Sequence, residues 1–397
     1  MIRVAVHVAV VIVGFIIGAG ALLGVQGPSR SRDAPTTSPQ PPAKRAPAPA
    51  DQQLLLAWTS RGLPDRFAQD VAALPAVDRV TVVGGGMVEL TGSWDVDGQP
   101  VDALGSGWVI PLDVVAVDPD TYTAFVSKSA FPAITELDAG EALLSETGAR
   151  LRGVGEGARL ELAGGLRLRI AGVVEDAQIG GAELAISIAT AAGTPAEVAR
   201  YVLLTYTGDR AELEQAVRSL LREGPPVRLR GPGEASVLRH GDAVLTQAQV
   251  KERFGEFAYR RLTGRDIEQD PEWVAANIAT ADVPILGRVR CHRAVLPALE
   301  RALAELKVAY LRHTLAEDSG CHVPRLIAGE GISRHAWGIA FDLNAEDNPT
   351  GQASAQDPRL VEAFERWGFT WGGHWLVPDP AHFEYRRPPP PDAEPRR

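Results

Sequence analysis

The segment Val4–Val25, VAVHVAVVIVGFIIGAGALLGV, holds one polar side chain, His7, and it decides where the rest of the chain can fold. Its 22 residues, at about 1.5 Å of rise each, predict a helix of roughly 33 Å, long enough to cross a bilayer core. That length suits an uncleaved anchor better than a signal peptide, whose apolar region is shorter, although Ala19-Gly20-Ala21 supplies the small residues a cleavage site uses. Residues 28–53 show no apolar period and are rich in Pro, Ala, Ser and Thr, the composition of an extended tether. The expected layout is a transmembrane signal-anchor at 1–27, a Pro-rich linker at 28–53, folded regions at 54–245 and 246–387, and a Pro-rich tail at 388–397. Flanking charge taken alone, Arg3 on one side against Arg30, Arg32, Lys44 and Arg45 on the other, would leave the folded regions in the cytoplasm.

With 45% hydrophobic and 23% charged residues the chain has a globular composition and length enough for two cores. A net charge of −10 argues against a nucleic-acid partner, because phosphate binding needs concentrated Lys and Arg. Over 54–245, β-like runs at 79–83, 160–164, 166–174 and 201–206 alternate with helix-spaced apolar residues at 65–74 and 211–221. Glycine clusters, Gly84-Gly85-Gly86 and Gly164-Gly165, are expected to mark turns. The predicted fold class is α+β. The one histidine here, His240, and the scattered carboxylates form no catalytic constellation, and GVGEG at 153–157 lacks the lysine of a phosphate loop and reads as a turn. Residues 246–290 read as helical and connecting, with Phe254 and Trp273 buried. A helix over 293–306 follows, its stripe of Val295, Leu296, Leu299, Ala302, Leu303 and Leu306 facing the core.

Cys291 and Cys321 are the only cysteines; they read as a disulfide or as two buried thiols, export favouring the disulfide. Neither has a second cysteine or histidine at the spacing of a zinc pair, although His292 and His322 directly follow them, and with His313 these read as structural histidines. The chemistry gathers after Cys321, in CHVPRLIAGEGISRHAWGIAFDLN and WGFTWGGHWLVPDPAHFEY. His335 and Asp342 stand seven residues apart, and Asp379 precedes His382 by three. Two histidines and a carboxylate make a three-ligand zinc site with an open fourth position, and a further carboxylate beside it completes a hydrolase.

The motifs SRHAWGIAFD and PDPAHFE resemble the signature of the M15 peptidases, the D-alanyl-D-alanine carboxypeptidase and L-alanyl-D-glutamate endopeptidase group. The resemblance covers about residues 285–386 and implies an α+β zinc peptidase domain with a small antiparallel sheet. It further implies His335, Asp342 and His382 as Zn2+ ligands, Asp379 as general base, and Arg325 as the arginine that steadies a substrate carbonyl or carboxylate. Ser333, Trp371 and Trp375 are expected at the substrate, Ser333 and Glu384 as groups that orient ligands, and Trp337 as core before cleft; for His374 substrate contact and filler stand equal. Peptidoglycan stem peptides are the implied substrate, cut at a terminal D-alanine or within the stem. Because that substrate lies outside the cell, the expected location is the extracytoplasmic side of the membrane, held by the N-terminal helix, against the flanking charges. From DPDTY at 118–122 through 141–162 to LRLRIAGVV, the middle region resembles the extracytoplasmic core domain of MacB-like and FtsX-like permeases, which implies an envelope protein partner. A non-catalytic, zinc-retaining envelope binding or adaptor protein is the alternative function.

Overall fold

The computed structural model describes residues 53–59, 62–221, 224–231, 234, 245–308, 320–327 and 331–388. The expected anchor at 1–27, nearly all of the linker and the tail, and His240 and His313 lie outside the described residues. Among the described residues, no helix is long and apolar enough to cross a membrane. Helices and strands are mixed throughout, as in an α+β chain.

One ten-stranded sheet dominates the first part. Its strands are β1 (Gln53–Thr59), β2 (Val77–Trp94), β3 (Pro100–Ala103), β4 (Ile110–Val117), β5 (Glu141–Ser145), β6 (Arg159–Leu162), β7 (Arg167–Val174), β8 (Leu184–Ser187), β9 (Ala199–Tyr206) and β10 (Val227–Arg230). They run in the order β10-β1-β9-β2-β4-β8-β5-β7-β6, with β3 beside β2. Because β6 also pairs β2 over Leu90–Trp94, the strands from β2 round to β6 close on themselves, and β10, β1 and β9 extend from that ring as an open flap.

Gly84, Gly85 and Gly86 correct the expected turn, for they lie inside the 18-residue β2. The segment 195–198 crosses the strand there: a Cβ at Gly84 would stand 2.4 Å from the carbonyl oxygen of Ala196, and one at Gly86 2.6 Å from that of Pro195. Glycine is demanded by close backbone approach rather than by a bend. Gly164 and Gly165 do form the β6–β7 turn, both at positive φ.

Residues 246–290 are also less helical than expected. After the helix Gln247–Phe254 come two hairpins, β11 (Tyr259–Arg261) with β12 (Ile267–Gln269), and β13 (Ile278–Val283) with β14 (Gly287–His292), separated by the helix Pro271–Asn277. Strands of three to six residues are too short for alternation to stand out. The helix Leu296–Val308 then buries Leu299, Ala302, Leu303 and Leu306, with Val295 just before it and Leu296 only partly covered. It shares its core with Phe254, Trp273, Trp337, Phe341, Phe364 and Phe383.

The two parts meet through backbone and charge. Val109 and Tyr259 exchange both backbone hydrogen bonds, at 2.9 and 2.8 Å. Lys251, fully buried, reaches Glu183 beneath β8 at 2.6 Å and Glu256 at 2.9 Å, while Arg152 pairs with Asp102 and Glu256 alongside. Burial lowers the Lys251 pKa to about 8 against the pull of Glu183.

Candidate metal centre

Three short elements bring the motif residues together. The Ser333 hydroxyl accepts from the backbone N–H of His335 and starts a single tight turn, Arg334–Trp337, that Gly338 ends at positive φ. After the antiparallel pair β15 (Leu326–Ile327) and β16 (Gly331–Ile332), β17 (Ala340–Asp342) pairs β19 (His382–Tyr385), and β18 (Phe369–Trp371) pairs the other edge of β19. In that register Asp342 lies directly opposite His382, so two residues forty apart in sequence become cross-strand neighbours. Behind them Phe341, Phe364, Phe369 and Phe383 stack into the core.

His335 Nε2 stands 3.3 Å, and His382 Nδ1 3.0 Å, from the same oxygen, Asp342 Oδ1. Ligand atoms at about 2.0–2.1 Å from a tetrahedral zinc are spaced about 3.3 Å apart, so these separations fit zinc. One ligand atom from each residue lies within 4.8 Å of the others, and this trio is the one such group among the described residues. His335 Nδ1 lies 3.3 Å from the Gly320 carbonyl, so that Nε2 is the nitrogen turned to Asp342. The outer nitrogen of His382, Nε2, is buried without a hydrogen bond and faces Glu384 Oε2 at 3.8 Å, an ion-pair distance. Glu384 in turn accepts from Arg334 Nε at 3.3 Å, and Arg334 also donates to the Leu245 carbonyl.

These contacts set the charge states of the trio. Burial acts to raise the Asp342 carboxyl, but the hydrogen bonds and charges of the two histidines outweigh it and hold the group far below the usual carboxylate range. Burial likewise acts to lower His382, yet Asp342 and Glu384 push it up to about 10. The trio is thus an aspartate clasped by a proton-bearing histidine.

Arg325 lies at the rim with its guanidinium 3.9 Å from Asp342 Oδ2. Asp379 is half-buried in the turn before β19, its backbone carbonyl accepting from the His382 N–H at 3.0 Å and its Oδ1 accepting from the Thr350 hydroxyl at 3.0 Å. Gly372 makes room for this turn, since a Cβ there would stand 2.6 Å from the Asp379 carbonyl oxygen. The Trp375 ring covers the His382 ring at 5.1 Å, and Trp371 donates from Nε1 to the Pro380 carbonyl at 2.7 Å. Trp337 is wholly buried. Ser333 is 5% exposed, and its hydroxyl accepts the His335 N–H that starts the turn. His374 is exposed, 4.0 Å from Glu365. His292 and His322 bond to Phe254 O and Gln269 Oε1, away from the trio.

Sequence reasoning passed over Thr350 and Gln356. Gln356 is buried and donates from Nε2 to both Leu343 O at 2.7 Å and Pro380 O at 3.2 Å, tying the strand of Asp342 to the turn of Asp379. A glutamine in a polar loop carries no local signal of such a role. Cys291 and Cys321 form a disulfide with Cα atoms 4.9 Å apart, fixing β14 to the segment that leads to His335.

Among solved structures, the periplasmic region of MacB from Actinobacillus actinomycetemcomitans is similar at 9% identity, covering 45% of this chain and 88% of its own, with a TM-score of 0.30. The extracellular domain of the noncanonic ABC-type transporter YknZ from Gram-positive bacteria is similar at 10% identity, 46% and 99% coverage and a TM-score of 0.28. A search of curated proteins finds no match. Residues 328–385, the stretch that carries the trio and Asp379, match the family described as D-alanyl-D-alanine carboxypeptidase, which gives this part of the chain a peptidase-type character.

Proposed function

We propose that the chain is a zinc-dependent peptidoglycan peptidase, removing a terminal D-alanine or cutting within the stem peptide. The observation that carries this reading is the His335, Asp342, His382 trio at zinc-ligand spacing, with Arg325 at its rim and Asp379 in the turn that leads into His382. Zinc held by these residues would supply an acidified water, with a pKa of about 7, and a Lewis acid for the scissile carbonyl. Asp379 takes the proton of the attacking water and passes it to the leaving amine. Arg325, exposed at the rim, offers its guanidinium to a substrate carbonyl or carboxylate. Glu384, facing the outer nitrogen of His382, holds that ring in its ligating orientation, and Trp375 and Trp371 wall the approach. In this reading residues 246–387 form the peptidase unit and 54–245 a unit that meets envelope proteins, with 1–27 anchoring both on the extracytoplasmic side.

The test is mass spectrometry of purified muropeptides incubated with the chain, with and without chelator, beside His335→Ala and Asp379→Asn. Loss of a terminal alanine or a split stem that requires metal and His335 names the bond; Asp379→Asn should slow it about 10²–10⁴-fold while zinc stays bound. A folded, zinc-loaded chain that cuts nothing would transfer the weight to a binding role.

A further inference from the structure

The loop between Gly372 and Asp379 holds two of the groups assigned above, Trp375 over the His382 ring and Asp379 itself. Its backbone is held by the Trp375 and Asp379 N–H groups, both donating to Gly372 O at 3.0 and 2.9 Å, by Gly351 N–H donating to Pro378 O at 2.6 Å, and by His382 N–H donating to Asp379 O at 3.0 Å. Two further attachments come from outside the peptidase part. Arg228, on β10 at the edge of the large sheet, donates from Nη2 to the His374 carbonyl at 3.2 Å. Leu376 packs against the hydrophobic cluster of the large sheet that contains Trp58, Phe125, Tyr201 and Leu203. The two attachments converge, because Arg228 is the cross-strand partner of Trp58. The loop is therefore gripped at both its polar backbone and its leucine side chain by residues more than a hundred positions earlier in the chain.

We infer that the middle unit completes the catalytic site: Arg228 and the seat of Leu376 are positioning elements that fix loop 372–379, and through it Trp375 and Asp379, over the metal ligands. The inference rests on the peptidase reading for what the loop does, and on the contacts alone for what holds it. A carbonyl bonded by a guanidinium and a leucine in an apolar seat restrict the loop in two independent directions, and a base misplaced by about 1 Å costs about 10²-fold in rate.

The full chain and its Arg228→Ala, Arg228→Lys and Leu376→Ala variants are compared by amide hydrogen exchange and by muropeptide hydrolysis. Arg228→Ala and Leu376→Ala should each speed exchange at the Trp375 and Asp379 amides at least about fivefold, leave the amides of β17 and β19 and the zinc affinity unchanged, and lower kcat more than they raise KM. Arg228→Lys keeps a donor and should restore most of the protection. Unchanged exchange at those two amides in both alanine variants overturns the inference whether or not the parent chain hydrolyses anything. Faster exchange in a parent that cuts no muropeptide sustains the clamp and removes only the peptidase reading.

Discussion

At the scale of single residues, the site depends on who sits beside whom in a cramped turn. Replacing Gly372 by alanine drives a Cβ to 2.6 Å from the Asp379 carbonyl oxygen and 3.3 Å from His382 Cβ. A backbone oxygen cannot yield as a flexible side-chain tip would, so Gly372→Ala should cost about 1–3 kcal/mol and weaken zinc binding, measured by urea unfolding and chelator competition. A second expectation concerns protons. In the metal-free chain His382 titrates near 10 instead of its ordinary 6.5. A raised histidine stabilises fully below the unfolded value and loses that contribution as pH climbs through the folded one, so the urea midpoint of the chelated chain should fall between about pH 6.5 and 10. Zinc must displace that proton, and its affinity should rise over the same window. A flat affinity profile would mean that His382 stays neutral. The trio was legible because the chain has only eight histidines and because the motifs around His335, Asp342 and His382 resemble a known signature. The capping bond of Ser333 was not, because a hydroxyl looks the same whether it caps a turn or meets a substrate. Gln356 was silent for a similar reason: its two acceptors are backbone carbonyls, and no residue type advertises them.

At the scale of elements, a short helix plugged into a sheet carries much of the joint between the two parts. Lys251 on the helix Gln247–Phe254 and Glu183 before β8 are both essentially buried, and Gln247 and the Asp113 N–H bond the same carboxylate. Lys251→Met leaves that carboxylate without its counter-charge and should destabilise by roughly 3–5 kcal/mol, while adding Glu183→Gln, which keeps an acceptor but no charge, should recover a good part. Denaturant titration of the two variants checks this; equal midpoints for Lys251→Met and the parent would refute it. Nothing in the sequence marks these residues as buried, since Lys and Glu ordinarily read as a solvated face. The same limit explains β2. Its glycines look like punctuation in one dimension, and only the crossing of Pro195 and Ala196 above them shows that they permit a close approach. The strands β7 and β9, and the helix Arg210–Leu220, were legible because eight to eleven residues repeat their pattern often enough to be counted. The hairpins of 259–292 are too short for that.

At the scale of the whole molecule, backbone pairing at Val109 and Tyr259, the buried charges around Lys251 and the grip on the 372–379 loop join the parts at separate places. The chain should therefore unfold in one calorimetric transition, and two resolved transitions would show the joint to be loose. Cys291→Ser with Cys321→Ser should lower that transition: closing a loop across a separation of 30 residues is worth about 3–4 kcal/mol in the chain-entropy account. Such joints are non-local, and patterning read along the sequence does not show them. The ion-paired line from Asp342 through His382 and Glu384 to Arg334 carries its own positive charge at His382, which holds the carboxylates on either side of that ring. On the zinc reading, proton and ion would compete for one imidazole nitrogen, and the chain would be armed only where the ion wins.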